Sequence, residues 1–141
     1  MPEHKNGAHT LYFFWARNCT SSRKAEEWLK EAHIAYQPVE LVPGSLTATM
    51  VKEMLRLSEK GTDEILSTRS KYYPELQGRM DGMTTEELVD LIVERPDLLR
   101  HPIMIDGLRM QVGFHEDQIR RFLPREVRAI ALQQAQLLAG F

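Results

Sequence analysis

Apolar residues in this chain fall into short runs and helical stripes that succeed one another along its length. Leu11–Trp15 is a continuous, aromatic-rich apolar run and predicts a buried strand. From Arg23 onward, Ala25, Trp28, Leu29 and Ala32 recur at i, i+3, i+4 and i+7, which marks one apolar helical face. Ile34–Val39 predicts a second strand, and Pro38 confines it to an edge or a strand end. Further on, Met50, Val51, Met54 and Leu55 form a stripe after the loop Pro43–Ser45. A break at Glu59–Gly61 follows, and Thr62, Asp63 and Glu64 open another helix with acidic residues in its first turn. Thr84 and Glu87 have capping-box spacing ahead of Leu88, Leu91 and Ile92, and Pro96 closes that helix. Pro102–Ile105 and Leu108–Val112 flank Asp106-Gly107, the signature of a hairpin with a two-residue turn. After Pro124, Val127, Ile130, Ala131, Ala135 and Leu138 fall at helical spacing and predict a C-terminal helix.

The order βαβ, helices, ββ, α predicts an α/β thioredoxin-like fold. Its small mixed four-stranded sheet would carry flanking helices, with a helical insertion between the βαβ and ββα halves. The boundaries place a flexible N-terminus at 1–9, the thioredoxin-like half at about 10–42 and 100–141, and the insertion at about 43–99, all in one domain. A formal charge of −2 and a pI near 6.2 argue against gripping DNA by bulk electrostatics. One cysteine excludes an internal disulfide framework and fits a reducing compartment. The polar N-terminus lacks the apolar core of a signal peptide, and no run has transmembrane length, so a cytoplasmic protein is expected. His4, His9, His33 and His115 are scattered and form no metal-ligand set; neither metal nor cofactor is expected.

Cys19 stands between the first strand and the first helix. A helix N-terminus there offers free backbone N–H groups and a dipole that favour a thiolate. The alternative is a half-buried cysteine that only packs. Three residues on, where a dithiol motif carries its second cysteine, the chain has Ser22. Cys19 therefore has no internal partner, and its oxidation would yield a sulfenic acid or a mixed disulfide with a small thiol. Gly61 reads either as a helix C-cap or as a point of close approach for a partner's backbone, and the two roles are compatible. Arg120, Arg121, Arg125 and Arg128 form the densest basic cluster, either a solvated face or a patch that meets DNA phosphates. No DNA-reading motif accompanies it.

Cys19–Ala25 resembles the active-site turn of the Spx and arsenate reductase (ArsC) family. Gly61–Lys71, Pro96–Arg100, Met110–Phe114 and Glu116–Arg128 are similar to its Spx branch. The resemblance runs from Thr10 to about Leu138. It implies a thioredoxin-like regulator of thiol and oxidative stress genes that binds the C-terminal domain of the RNA polymerase α subunit. Promoter DNA would be met only within the polymerase complex, near Arg120, Arg121 and Arg125, and the protein would be a monomer on its own. The implied polymerase surface is Arg56, Gly61, Thr62 and Asp63; Gly61→Arg is expected to leave the fold near intact while abolishing polymerase binding. The family's CxxC switch does not transfer, because Ser22 replaces the second cysteine. Either the protein ignores oxidants or it senses them through a mixed disulfide. Degradation by ClpXP with an adaptor is also implied, although the ending Leu138–Phe141 departs from the family tail.

The same resemblance implies an alternative, a single-cysteine arsenate reductase-like enzyme drawing on an external thiol. Cys19 would attack the oxyanion, Arg23 and the helix N-terminus would hold it, and Arg69, Arg100 and Arg109 would support the site. His101 stands where arsenate reductases carry an arginine before the proline, which weakens such an anion cradle. Arg69 is expected to make hydrogen bonds or an ion pair within the insertion. The resemblance also implies a cis bond between His101 and Pro102.

Overall fold

The computed structural model describes residues 10–123 and Leu137. The predicted C-terminal helix, Arg125 and Arg128, and His4 and His9 lie outside the described residues. Strand β1 (Leu11–Trp15) is central, with β2 (Tyr36–Glu40) parallel on one side and β3 (Ile103–Ile105) antiparallel on the other. Strand β4 (Met110–Val112) pairs antiparallel with β3, so the four-stranded mixed sheet has the order β2-β1-β3-β4. Helical layers cover both faces of this central strand, which is why β1 reads as a continuous apolar run.

Period-two alternation sends successive side chains to opposite layers. Leu11, Phe13 and Met104 pack with Ala25 and Leu29 of α1 (Thr20–Glu31) and with Ile119 and Phe122 near the end of the described chain. Phe14, Ile103 and Ile105 face the other way, onto Val51 and Met54 of α2 (Ala48–Leu57) and Leu88, Val89 and Ile92 of α5 (Thr85–Glu94). The insertion therefore supplies one whole face of the sheet's core. Thr84 and Glu87 close the expected capping box in both directions, at 3.1 and 3.2 Å, worth about 1 kcal/mol. Pro38 lies in β2, the edge strand, where its missing N–H is tolerated.

Several boundaries differ from the sequence-based expectation, each for an identifiable physical reason. Helix α1 begins at Thr20, ahead of the apolar face that starts at Ala25, because Cys19 itself occupies the N-cap position. The helix opened by Thr62 stops after four residues as α3 (Thr62–Ile65). There the chain turns extended to bridge Leu66 with Leu99, with Ser67 N–H donating to Leu98 C=O at 2.7 Å and Arg100 N–H to Ile65 C=O at 2.8 Å. A short α4 (Tyr73–Gln77) follows, with Pro74 in its first turn. The hairpin turn lies one residue later than expected. Asp106 N–H donates to Arg109 C=O at 3.2 Å, leaving Gly107 and Leu108 as the turn. The Asp106 carboxylate accepts from the Leu108 and Arg109 N–H groups at 3.0 and 2.8 Å, a local bond that shifts the turn. Gly61 is not the C-cap of α2, a place held by Ser58; it precedes α3 instead.

Candidate functional site: a thiol–imidazole pair and an exposed glycine segment

The end of β1 and the start of α1 deliver the thiol. Asn18 adopts a left-handed conformation (φ 56), which asparagine tolerates better than most residues, and so turns the chain from the strand into the helix. Cys19, half-buried, then caps α1, its Sγ accepting from Ser22 N–H at 3.4 Å. Ser22 is buried; its Oγ accepts from Ala16 N–H at 3.3 Å, so the residue in the second-cysteine position holds the turn together. Across from this turn the His101–Pro102 peptide bond is cis, as the resemblance implies. His101 Nδ1 lies 3.0 Å from Cys19 Sγ. When the sulfur is a thiol it donates to an unprotonated Nδ1; when it is a thiolate, Nδ1–H donates to it. Desolvation lowers the His101 pKa below its ordinary 6.5, so the imidazole is neutral at pH 7. His101 was legible only as a weakened anion cradle. Its contact with Cys19 joins residues 82 apart in sequence and needs the antiparallel β1–β3 pairing.

A depression of about 470 Å³ opens beside the thiol, with Trp15, Arg17, Asn18, Arg23 and Pro38 among its lining. Arg17 pairs with Glu40 of β2 at 2.6 Å. Arg23 is exposed, and its side chain has no hydrogen-bond or ion-pair partner among the described residues. Neither Arg17 nor Asn18 was picked out from sequence, although an asparagine before a helix start is the signal that marks such a turn.

The other arginines expected to support this site do different work. Arg109 sits at the β3–β4 hairpin. Because β3 runs antiparallel to β1, with Ile105 opposite Tyr12, that hairpin is at the end of the sheet away from Cys19. The Arg109 guanidinium donates to Arg121 C=O and pairs with Asp106 at 3.1 Å. Arg100 Nε donates to Leu66 C=O at 2.9 Å, tying the insertion to the strand that follows. Arg69 is exposed, and its side chain makes none of the expected hydrogen bonds or ion pairs among the described residues. Its backbone N–H donates to Ser67 Oγ at 3.3 Å. In the basic cluster, Arg121 donates to Gln118 and Met110 carbonyls, so its charge is spent on the fold, whereas Arg120 is exposed. Among the described residues no group of His, Cys, Asp and Glu is arranged to hold a metal ion.

The segment after α2 forms a second surface. Glu64 Oε1 accepts from the Glu59 and Lys60 N–H groups at 3.0 and 3.2 Å, folding the connection onto the start of α3. Gly61 there has φ 70 and ψ −139, a conformation that side chains rarely adopt, and a Cβ built on it would meet nothing within 4 Å. The glycine is favoured by the backbone and not by crowding, so Gly61→Arg adds conformational strain without a steric clash. Asp63 is exposed and Thr62 half-buried. Arg56 pairs with Glu53 at 2.7 Å and donates to Gly107 C=O at 2.8 Å, linking α2 to the hairpin turn.

A four-stranded mixed sheet with a thiol capping the first helix opposite a cis-proline defines a thioredoxin-like protein. The ArsC family model matches residues 14–122, and the chain belongs to that family, within its Spx branch. It is 50% identical over 131 residues to "Global transcriptional regulator Spx 1" of Bacillus cereus, covering 93% of this chain and 98% of that protein. With "Global transcriptional regulator Spx" of Enterococcus faecalis it shares 47% over 130 residues, 92% of this chain and 98% of the relative. Among solved structures, an ArsC family related protein from Bacteroides fragilis superposes with a TM-score of 0.68 at 25% identity, over 82% of this chain and 98% of its own. An arsenate reductase from Vibrio cholerae shares the fold, with a TM-score of 0.63 at 20% identity over 83% and 98% of the two chains.

Proposed function

We propose that this chain is a transcription regulator that acts by binding the C-terminal domain of the RNA polymerase α subunit, not by catalysis. The observation that carries the reading is identity of 47–50% with proteins named as Spx global regulators, along nearly their whole length. In this reading Arg56, Gly61, Thr62 and Asp63 make the docking surface, with Gly61 letting the partner's backbone approach a side-chain-free point. The regulated genes are those of thiol and oxidative stress, and DNA is met only within the polymerase complex. Turnover by ClpXP with an adaptor, a cytoplasmic location and a monomeric free state complete the reading. An arsenate reductase-like activity is the weaker alternative, because Arg109 is engaged at the far end of the sheet and a neutral His101 replaces a permanent cation beside Cys19.

The test is direct binding of the full chain to the isolated α C-terminal domain. Micromolar or tighter affinity that is lost in Gly61→Arg supports the reading. No binding by the parent chain refutes it.

A further inference from the structure

Apart from Cys19 the chain's sulfurs are thioethers, and among the described residues the fold sorts them by access. Met54 and Met104 have no exposed surface and Met110 is buried. Met50, Met80 and Met83 are half-buried at the rim of the core that the insertion lays on the sheet. Met83 has a particular place among them. It immediately precedes Thr84, the N-cap of α5, and Leu88 stands five residues on, the spacing of a hydrophobic staple. Both side chains belong to that core, Leu88 within it and Met83 packed against it. The staple thus reinforces the capping box with a side chain that solvent can reach. We propose that Met83 is an oxidation site, whose conversion to methionine sulfoxide by peroxide loosens the start of α5. This inference is independent of the polymerase reading and of Cys19.

The step balances. The Met83 thioether attacks one oxygen of hydrogen peroxide; an S–O bond forms as the O–O bond breaks. The proton on the transferred oxygen passes to the departing hydroxide, giving methionine sulfoxide and water. Sulfur loses two electrons and the peroxide gains them. A flexible apolar side chain becomes a polar one, with an oxygen that must be hydrated or hydrogen-bonded. Ahead of the N-cap this draws the side chain off the core and towards water. Reduction by methionine sulfoxide reductases, one for each sulfoxide epimer, restores the thioether.

The position carries the change into the insertion. Met83 N–H donates to Met80 C=O at 3.1 Å, closing the 3₁₀ turn Met80–Gly82 that leads into α5. Glu86, in the first turn of α5, pairs with Lys52 of α2 at 3.0 Å. Leu88, Val89 and Ile92 of α5 then bury in the core on the sheet. Release of the staple therefore acts where one helix end meets the preceding turn, α2 and the core. Met80, in the same turn, and Met50, within α2, stand at no staple position.

The test treats the full chain carrying Cys19→Ser, in which every sulfur is a methionine, with hydrogen peroxide at pH 7. Peptide mapping by mass spectrometry follows each methionine, and thermal denaturation reads the consequence. Met83 should gain its oxygen about tenfold faster than Met54 and Met104, or more. The oxidised chain should melt about 2–8 °C lower, and reductase treatment should restore the Tm. Met83→Leu, apolar but without sulfur, should keep the starting Tm within about 2 °C and remove most of the fall on oxidation. Met80→Leu should leave the fall in place. Met83 oxidising no faster than Met54, or a fully oxidised Met83 with unchanged Tm, overturns the proposal. So does an equal fall in Met83→Leu. The rate comparison and the reductase-reversible fall are read with Met83 intact, so they decide the matter even where Met83→Leu does not fold.

Discussion

Replacing Gly61 separates backbone strain from partner contact. At φ 70 and ψ −139 the residue lies outside the left-handed helical well, so asparagine offers no relief and any L side chain is strained. With nothing within 4 Å of a built Cβ, no steric clash adds to that strain. The cost is then the conformational term alone, about 1–3 kcal/mol. For a domain near this size, 1 kcal/mol lowers Tm by about 2–4 °C, so a fall of roughly 2–12 °C is expected. Gly61→Ala, Gly61→Asn and Gly61→Arg should share this fall to within about 0.5 kcal/mol, since the longer side chains run into solvent. Binding should divide them. In the docking reading Gly61→Arg blocks the partner and weakens binding by well over tenfold, more than about 1.4 kcal/mol, whereas Gly61→Ala retains most of the affinity. Thermal denaturation paired with titration against the α C-terminal domain measures both. An unchanged Tm in Gly61→Ala refutes the strain argument. Equal affinities for the parent and Gly61→Arg refute the docking role.

Three further outcomes follow from the geometry. Ser22→Ala leaves Ala16 N–H without its acceptor and should cost about 1–2 kcal/mol in urea unfolding. His101 has a folded-state pKa below its unfolded value, so its contribution to stability is present above pH 6.5 and is lost as pH falls through the folded pKa. Denaturation midpoints measured from pH 7.5 down to about 5 should therefore fall more steeply in the parent than in His101→Gln. Arg109→Ala should lower Tm by removing the bonds to Arg121 C=O and Asp106, while the rate of Cys19 modification stays at the parent value. A changed rate there would place Arg109 in the thiol site after all.

Much of this protein was readable from residue order. The apolar run at Leu11–Trp15, the stripe led by Val51 and Met54, and the capping box at Thr84 and Glu87 are local signals. Strand burial, helix faces and caps depend on neighbours a few residues away. The same locality marked Cys19 as a helix-start thiol, Ser22 as its missing partner and Pro38 as a residue for an edge or a strand end. The signals failed where a distant segment decided the outcome. Helix α3 ends early because residues 65–67 pair with the chain at 98–100. Arg109 was grouped with the thiol although the antiparallel register carries it to the opposite end of the sheet. Arg121 was placed in a basic cluster and Arg100 beside the thiol site, whereas carbonyls from other elements claim both guanidinium groups. Sequence by itself determined the element types, the α/β class and the absence of a second thiol. Only the tertiary structure decided that His101 meets Cys19, because one antiparallel pairing closes an 82-residue separation to a 3.0 Å contact.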